Sequence, residues 1–429
     1  MRYKLLYLIP FLAALNGVNI HFYGLNIRLD QVMALFLVLL VGLIILIGKK
    51  YLYLDLPGKL LILFIVWSFI ATLLNAPDLN YSLIQTINIA SAASIYFVLT
   101  NLLNTQDRID KYIKYFLLSG ILATGYGTII FILSFVGFNV YGVNLTKDIN
   151  IAYGVFATMR EPNIFGSYSL VYFIITSSIL ISLRKRRDKS NSLVFMAFIT
   201  SASGIFISFT RAVWLAALIG LVILSIFLSR VLKKTKMKLV VYIVLIILII
   251  YIAASFFDFK SIILYKITHL FDYKAGTGAG RISIWQNAVQ SYLHKPFVGN
   301  GTYSFASMYP PTLINGQAHY AWIGNFMLTL LHDTGIIGTF IFLTMIMVLL
   351  KKGFQNAKKL KFLKPFDSAT IFGLCLSLIC LLIAYIFTTG FSFVYSWSVL
   401  GLIGVYIRLA KCPESFSKPA KYKLNAVDH

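Results

Sequence analysis

The stretch Gly58-Lys-Leu-Leu-Ile-Leu-Phe-Ile-Val-Trp-Ser-Phe-Ile-Ala-Thr-Leu-Leu74 holds one charge in 17 residues. As an α-helix it rises about 1.5 Å per residue, enough to cross most of the roughly 30 Å of hydrocarbon in a bilayer. Its charge, Lys59, stands at one end with Lys49 and Lys50 just before it, and the other end runs into the short turn Asn75–Tyr81. Lys and Arg collect on the cytoplasmic side of membrane spans. This one stretch therefore predicts a membrane helix and its direction of crossing.

The rest of the chain repeats the pattern. Hydrophobic residues make up 59% of 429, charged residues 12%, and the mean hydropathy is +0.83. A soluble domain carries about 25% charged residues, so a soluble fold is excluded. Apolar runs recur at about 4–20, 31–48, 58–74, 82–103, 112–136, 164–183, 192–208, 211–229, 238–256, 334–350, 369–387 and 391–409. The expectation is an all-α polytopic membrane protein with about twelve transmembrane helices. Residues 1–256 would hold nine of them with an outer loop at 137–163, residues 257–333 a large outer loop, residues 334–409 the last three helices, and 410–429 a cytoplasmic tail. The start, Met1-Arg-Tyr-Lys before an apolar run, has the outline of a signal peptide. However, Ala13-Ala-Leu-Asn-Gly17 offers no small-residue cleavage site and reads as part of a first helix. The cysteines Cys375, Cys380 and Cys412 form neither a disulfide framework nor a metal spacing.

With both termini in the cytoplasm, 29 of the 38 lysines and arginines fall inside and nine outside. Runs such as Arg184-Lys-Arg-Arg187 then read as topology anchors near anionic lipid rather than nucleic-acid patches. The net charge of +24 is mostly a topology signal. Four of the nine outer cations are arginines: Arg28, Arg160, Arg211 and Arg281. A cation placed against the topology rule is expected to have a partner. With 14 acidic residues in the chain, an anion from outside is one such partner.

Local sequence separates the four. Arg28 pairs naturally with Asp30. Arg160 is followed by Glu161, so a local ion pair explains it as well as a ligand does. Arg211 stands in Ser208-Phe-Thr-Arg-Ala-Val-Trp214, between two apolar helices joined by almost nothing. There it snorkels, pairs or faces a polar cavity. Arg281 follows Gly276-Thr-Gly-Ala-Gly280 at the start of an amphipathic helix that His294, Lys295 and Pro296 end. Glycines, free N–H groups and a forked cation together suit a phosphate. A flexible hinge with a solvated arginine fits the same residues, and no Lys-Ser/Thr follows to make a nucleotide loop.

Several of these motifs resemble the O-antigen ligase and O-antigen polymerase superfamily. They are Ser208-Phe-Thr-Arg-Ala-Val-Trp214, Gly280-Arg-Ile-Ser-Ile-Trp285 with Pro296-Phe-Val-Gly-Asn-Gly301, Arg160-Glu-Pro-Asn163, and Asp333-Thr-Gly-Ile-Ile-Gly338. The resemblance spans about residues 25 to 350. It implies a GT-C-like glycosyltransferase architecture in the bacterial inner membrane, with the active site facing the periplasm. The implied donor is a glycan on undecaprenyl diphosphate, and the implied acceptor is another glycan or the lipid A core. It also implies inversion at the anomeric carbon, no metal, no other cofactor and no nucleic acid. Breaking a sugar–diphosphate bond develops negative charge on the leaving group, which fixed guanidinium groups stabilise. By resemblance, Arg211 and Arg281 are diphosphate binders, with Arg160 as a third.

The acceptor hydroxyl also needs a base. The ligases resemble one another in a His-Asn/Ser/Gln, nine residues, Gly-x-x-Gly signature. Here Gly324-Asn325 stands at the first position, and Gly335-Ile-Ile-Gly338 follows at the right spacing without the histidine. His319, Glu161 and Asp333 are the candidate bases, and Asp333 equally fits a cap on the following helix. The missing histidine leans the reading toward a polymerase over a ligase. A transporter or flippase is the reading from another class. Against it stand unequal outer loops, no half-to-half repeat and helix centres nearly free of charge.

Overall fold

The computed structural model describes residues 4–22, 25–32, 34–36, 39, 42, 52–144, 154–182, 189–231, 277–309, 312–314, 317–319, 322–360, 364–388 and 390–410. Among them, six helical segments are long and apolar enough to cross a membrane: Leu56–Asn75, Leu79–Leu102, Gln106–Ser134, Pro162–Ser182, Phe326–Leu360 and Pro365–Phe387. Three shorter apolar helices, Ser192–Ile207, Arg211–Phe227 and Val394–Ala410, match further expected spans. The chain is thus a multi-pass, mainly helical membrane protein. The spans expected at 31–48 and 238–256 fall largely or wholly outside the described residues.

The expectation at 4–20 needs correction. That segment forms a 3₁₀ turn at Lys4–Leu8 and a short helix α1 at Ile9–Ala13, then turns into a strand at Asn19. Ten helical residues cover only about 15 Å. The reason lies at Gly17, whose N–H donates to Thr158 O at 3.0 Å. This ties the segment to a loop far along the chain. Three two-stranded antiparallel ribbons also join the helices: Asn19–Phe22 with Leu25–Arg28, Val143–Asn144 with Gly154–Val155, and Thr312–Ile314 with Gln317–His319.

Local chemistry fixes the helix starts. Helix α2 (Leu56–Asn75) begins at Asp55, whose carboxylate accepts from Gly58 N at 2.8 Å and from the Tyr96 hydroxyl at 2.9 Å. Helix α3 (Leu79–Ala93) begins at Asp78, which accepts from Tyr81 N at 3.0 Å. Both are side-chain N-caps satisfying otherwise orphaned N–H groups. Helices α4 (Ile95–Leu102) and α5 (Gln106–Phe135) follow.

Helix α6 (Pro162–Ser182) is the centre of the bundle. Every residue from Ile164 to Ile179 is buried, as expected of a helix apolar on all sides. Around it pack α7 (Lys189–Ile207), α8 (Arg211–Val231) and, after the short helices α9 (Thr277–His294) and α10 (Phe305–Met308) and the long α11 (Phe326–Leu360), helix α12 (Pro365–Ala384). Close approach depends on small residues. A Cβ at Gly373 of α12 would lie 2.9 Å from Ile175 Cα, and Ser178 Oγ donates to Ala369 O at 2.8 Å. Helix α13 (Val394–Ala410) completes the described helices.

Arg28 behaves as its sequence predicts. It is buried, its Nε donates to Asp30 Oδ1 at 3.1 Å, and it lies 4.7 Å over the Phe393 ring. Its guanidinium also donates to Ser392 O. It pins the first ribbon to the segment before α13.

Candidate active site

The loop before α6 carries Arg160 and Glu161. Its ribbon pairs Val143 with Val155, and Gly142 O then accepts from Phe156 N at 2.9 Å and Ala157 N at 3.0 Å. Thr158 is held on both sides, by Gly17 N on its carbonyl and by its own hydroxyl donating to Ala14 O at 2.6 Å. The backbone of Glu161 starts the helix by accepting from Ile164 N and Phe165 N, each at 3.1 Å. Residues 160 and 161 thus emerge from a fixed loop at the N-terminus of the deeply buried helix α6.

The Ser208–Trp214 motif builds the neighbouring turn. Thr210 O accepts from Val213 N and Trp214 N, each at 3.1 Å, and so opens α8 one residue before Arg211. The Trp214 indole reaches back to donate to Ile205 O at 3.0 Å, tying the end of α7 to the start of α8. Phe209 takes a positive φ of 50°, a conformation that strains a non-glycine residue. Its ring is buried beside Phe131, Phe206 and Trp214, which holds it there. Gly154 has no side chain because the Ser208 carbonyl occupies the space a Cβ would fill. This contact sets the Arg211 turn against the Glu161 loop. Trp214→Phe keeps the ring and loses the bond to Ile205 O. It is expected to lower stability by about 1 kcal/mol, read as a lower melting temperature of detergent-solubilised protein. An unchanged melting temperature would show that the indole does not clasp the turn.

The third element is α9, in whose early turns Arg281 sits, half-buried. Farther along, the Trp285 indole donates to Ile323 O at 2.9 Å, and Ala288 packs with Phe305 and Ile323 in a small cluster apart from the main core. Lys295 Nζ at the end of the helix donates to Asn75 O at 3.2 Å. The amphipathic helix expected from Arg281 therefore exists and docks on the bundle.

Electrostatics join the three elements. Burial raises the Glu161 carboxyl above its ordinary range, and the nearby Arg160 and Arg281 guanidiniums oppose the rise. Burial likewise lowers Arg281; the like charge of Arg211 adds to that effect and Glu161 opposes it. Glu161 is thus within electrostatic reach of Arg160 and Arg281, and Arg281 of Arg211. Arg160 and Glu161 do not make the close ion pair their adjacency allows. Among the described residues, ion pairs within 4.0 Å join Arg28 to Asp30, Lys111 to Asp107 and His332 to Asp333.

Asp333 stands elsewhere, in a polar latch. One carboxylate oxygen accepts from His332 Nδ1 at 2.8 Å and the other from Tyr303 N at 2.8 Å. His332 is fully buried, and its Nε2 shares a hydrogen bond of 3.1 Å with Ser291 Oγ of α9. Backbone bonds from Asn300 N to His332 O at 2.8 Å and from Gly301 N to Asp333 O at 3.0 Å complete the join. Asp333 lies inside α11, two residues before a break at Gly335 (φ 63°, ψ −171°), so it anchors the 296–303 loop rather than capping a helix start. The Pro296–Gly301 and Asp333–Gly338 motifs are therefore one joint. Sequence reading missed Ser291 and the part played by His332; the signal was the close spacing of two glycine-rich motifs that need each other's backbone. A Cβ at Gly335 would strike the Phe297 carbonyl. Gly335→Ala is expected to cost about 1–3 kcal/mol from the backbone conformation alone, measurable as a lower melting temperature. An unchanged one would show that the joint is not tight.

His319 ends the third ribbon, paired with Thr312, and its side chain lies outside the described residues. Among the described residues no group of three or more His, Cys, Asp or Glu stands close enough to share a metal ion. An apolar cavity lined by Phe64, Ser68, Thr86, Phe342, Phe391 and Trp397 touches Asp333 but none of the three arginines. The site's charge chemistry lies in the arginine cluster, not in that cavity.

The fold and the cluster define a multi-pass membrane protein with guanidinium groups gathered at the starts of packed helices. Comparison with known families finds a partial match: residues 196–343 of the 429 are similar to the O-antigen ligase family. The matched segment contains Arg211, Arg281 and the Asp333 latch, and over it the resemblance to the ligase and polymerase superfamily is borne out. Over these residues the chain is similar to that family of membrane proteins. No curated protein matches the chain.

Proposed function

We propose that the protein transfers a glycan from undecaprenyl diphosphate at the outer face of the bacterial inner membrane, as a polymerase of surface polysaccharide. In this reading the membrane helices form a GT-C-like arrangement with the arginines at its outer face. The observation that carries it is the seating of the Arg160–Glu161 loop against the Arg211 turn, where the Ser208 carbonyl fills the space a Gly154 side chain would take, with Arg281 within electrostatic reach of Glu161. Like charges brought together in a partly buried site repel, and a bound anion relieves that repulsion. A diphosphate fits, because forked guanidiniums bind phosphate oxygens in pairs and gain strength as charge develops on the leaving group.

Arg211 and Arg281 hold the diphosphate, with Arg160 at its edge. The acceptor attacks the anomeric carbon from the opposite side and inverts it, and no step calls for a metal. Gly324-Asn325 in place of the ligase histidine favours a growing glycan as acceptor over the lipid A core. Purified protein in nanodiscs, given a lipid-diphosphate-linked repeat unit, is expected to build a ladder of products. Single transfer to a lipid A core acceptor would make it a ligase. Lipid translocation without transfer by folded protein would remove the enzyme reading.

A further inference from the structure

Of the two candidate bases whose side chains are described, Glu161 and Asp333, Glu161 is the one that stands by the arginines and keeps its carboxylate unspent. Asp333 has both oxygens engaged in the latch. Among the described residues nothing is hydrogen-bonded to the Glu161 side chain, and none of the close ion pairs includes it. Its loop and the start of α6 lie directly against the Arg211 turn: a Cβ at Gly154 would strike the Ser208 carbonyl, and one at Gly166 would meet Ser208 and Val213. Arg160 from its own loop and Arg281 from α9 are within electrostatic reach of it. Of the turns that also hold this loop, the N-terminal one at residues 14–17 brings no ionisable side chain and the Gly142 turn brings Tyr141, whose ring stands against Phe156.

We propose that Glu161 takes the proton from the acceptor hydroxyl as the sugar–diphosphate bond breaks, so that proton uptake at this residue is coupled to anion binding by the arginines. The inference rests on the lipid-diphosphate reading of the site. The acceptor oxygen forms its bond to the anomeric carbon with a lone pair. The anomeric C–O bond breaks with its electrons on the phosphate oxygen, and the hydroxyl proton passes to Glu161. The diphosphate goes from a diester to a monoester and gains one negative charge, while Glu161 loses one. The charge in the cluster is unchanged across the step, so no unbalanced charge develops in a partly buried site, where one is expensive. The proton then leaves to solvent or to the departing diphosphate.

Sign and order follow from charge. Ionised Glu161 repels an incoming diphosphate, and protonated Glu161 does not. Anion affinity therefore rises as pH falls through the Glu161 titration, while transfer needs the ionised base and falls over the same range. The test compares wild type, Glu161→Gln, Glu161→Asp and Arg281→Ala as detergent-solubilised full-length protein. Two readouts are taken across pH 5–8: binding of inorganic pyrophosphate by calorimetry, and glycan transfer. Glu161→Gln is expected to lose at least about 100-fold in transfer while binding pyrophosphate about tenfold more tightly than wild type at pH 8. That difference should shrink as pH falls. The probe's own titration is common to both proteins and cancels in the comparison. Glu161→Asp is expected to retain the pH-dependent affinity. Transfer by Glu161→Gln within a few-fold of wild type overturns the proposal, as does pyrophosphate affinity that is unchanged or weakened. Pyrophosphate binding and transfer that both survive Arg281→Ala overturn the diphosphate site itself, a result distinct from failure at Glu161.

Discussion

Arg211→Ala is expected to lower glycan transfer by about 100- to 1000-fold, the roughly 3–4 kcal/mol that one charge-stabilising donor contributes in a preorganised site. The expectation rests on where the turn places the residue. Thr210 starts the helix, the Trp214 indole ties it to Ile205 O, and Gly154 lets the Glu161 loop close against Ser208. These contacts come from the neighbours of Arg211, so turnover and melting temperature are measured together, and the expected loss is in turnover of the folded variant. Arg211→Lys should recover only part of the rate, since an ammonium keeps the charge and loses the paired N–H geometry. Turnover within a few-fold of wild type in folded Arg211→Ala would remove the residue from the mechanism.

Asp333→Ala is expected to act in the opposite way, on stability first. It leaves the Tyr303 N–H and His332 Nδ1 without their acceptor in a buried joint. Removing one partner of such a buried pair costs about 3–5 kcal/mol. A large drop in melting temperature should follow, with transfer lost because α9, which carries Arg281, is no longer held through Ser291 and His332. Asp333→Asn keeps one acceptor and should sit between the two. Full stability with abolished transfer in Asp333→Asn would return Asp333 to the candidate bases. It would also weaken the case for Glu161.

The two predictions separate what was legible in the chain from what was not. Helix α2 was readable because its apolar run and flanking lysines are local properties of one segment, and Arg28 found Asp30 because the two are neighbours in sequence. The segment at 4–20 misled for a related reason. Its composition suits a membrane helix, but Gly17 bonds to Thr158, a partner 141 positions away that no window on residues 4–20 contains. Asp333 was open to two readings, because a carboxylate near a glycine looks alike as cap or base. The latch shows only once the fold brings in Tyr303, and Ser291 beyond the neighbouring His332. The arginines were visible as breaches of the topology rule, but their meeting was not. It depends on two helix starts and a docked amphipathic helix, each ordinary by itself.

Native mass spectrometry of the purified protein with undecaprenyl diphosphate tests the central claim most directly. Wild type is expected to retain one lipid diphosphate per chain and to release it to excess inorganic pyrophosphate, while the Arg211→Ala/Arg281→Ala double variant retains none. Equal retention by the two proteins, or release that ignores pyrophosphate, would contradict the diphosphate site.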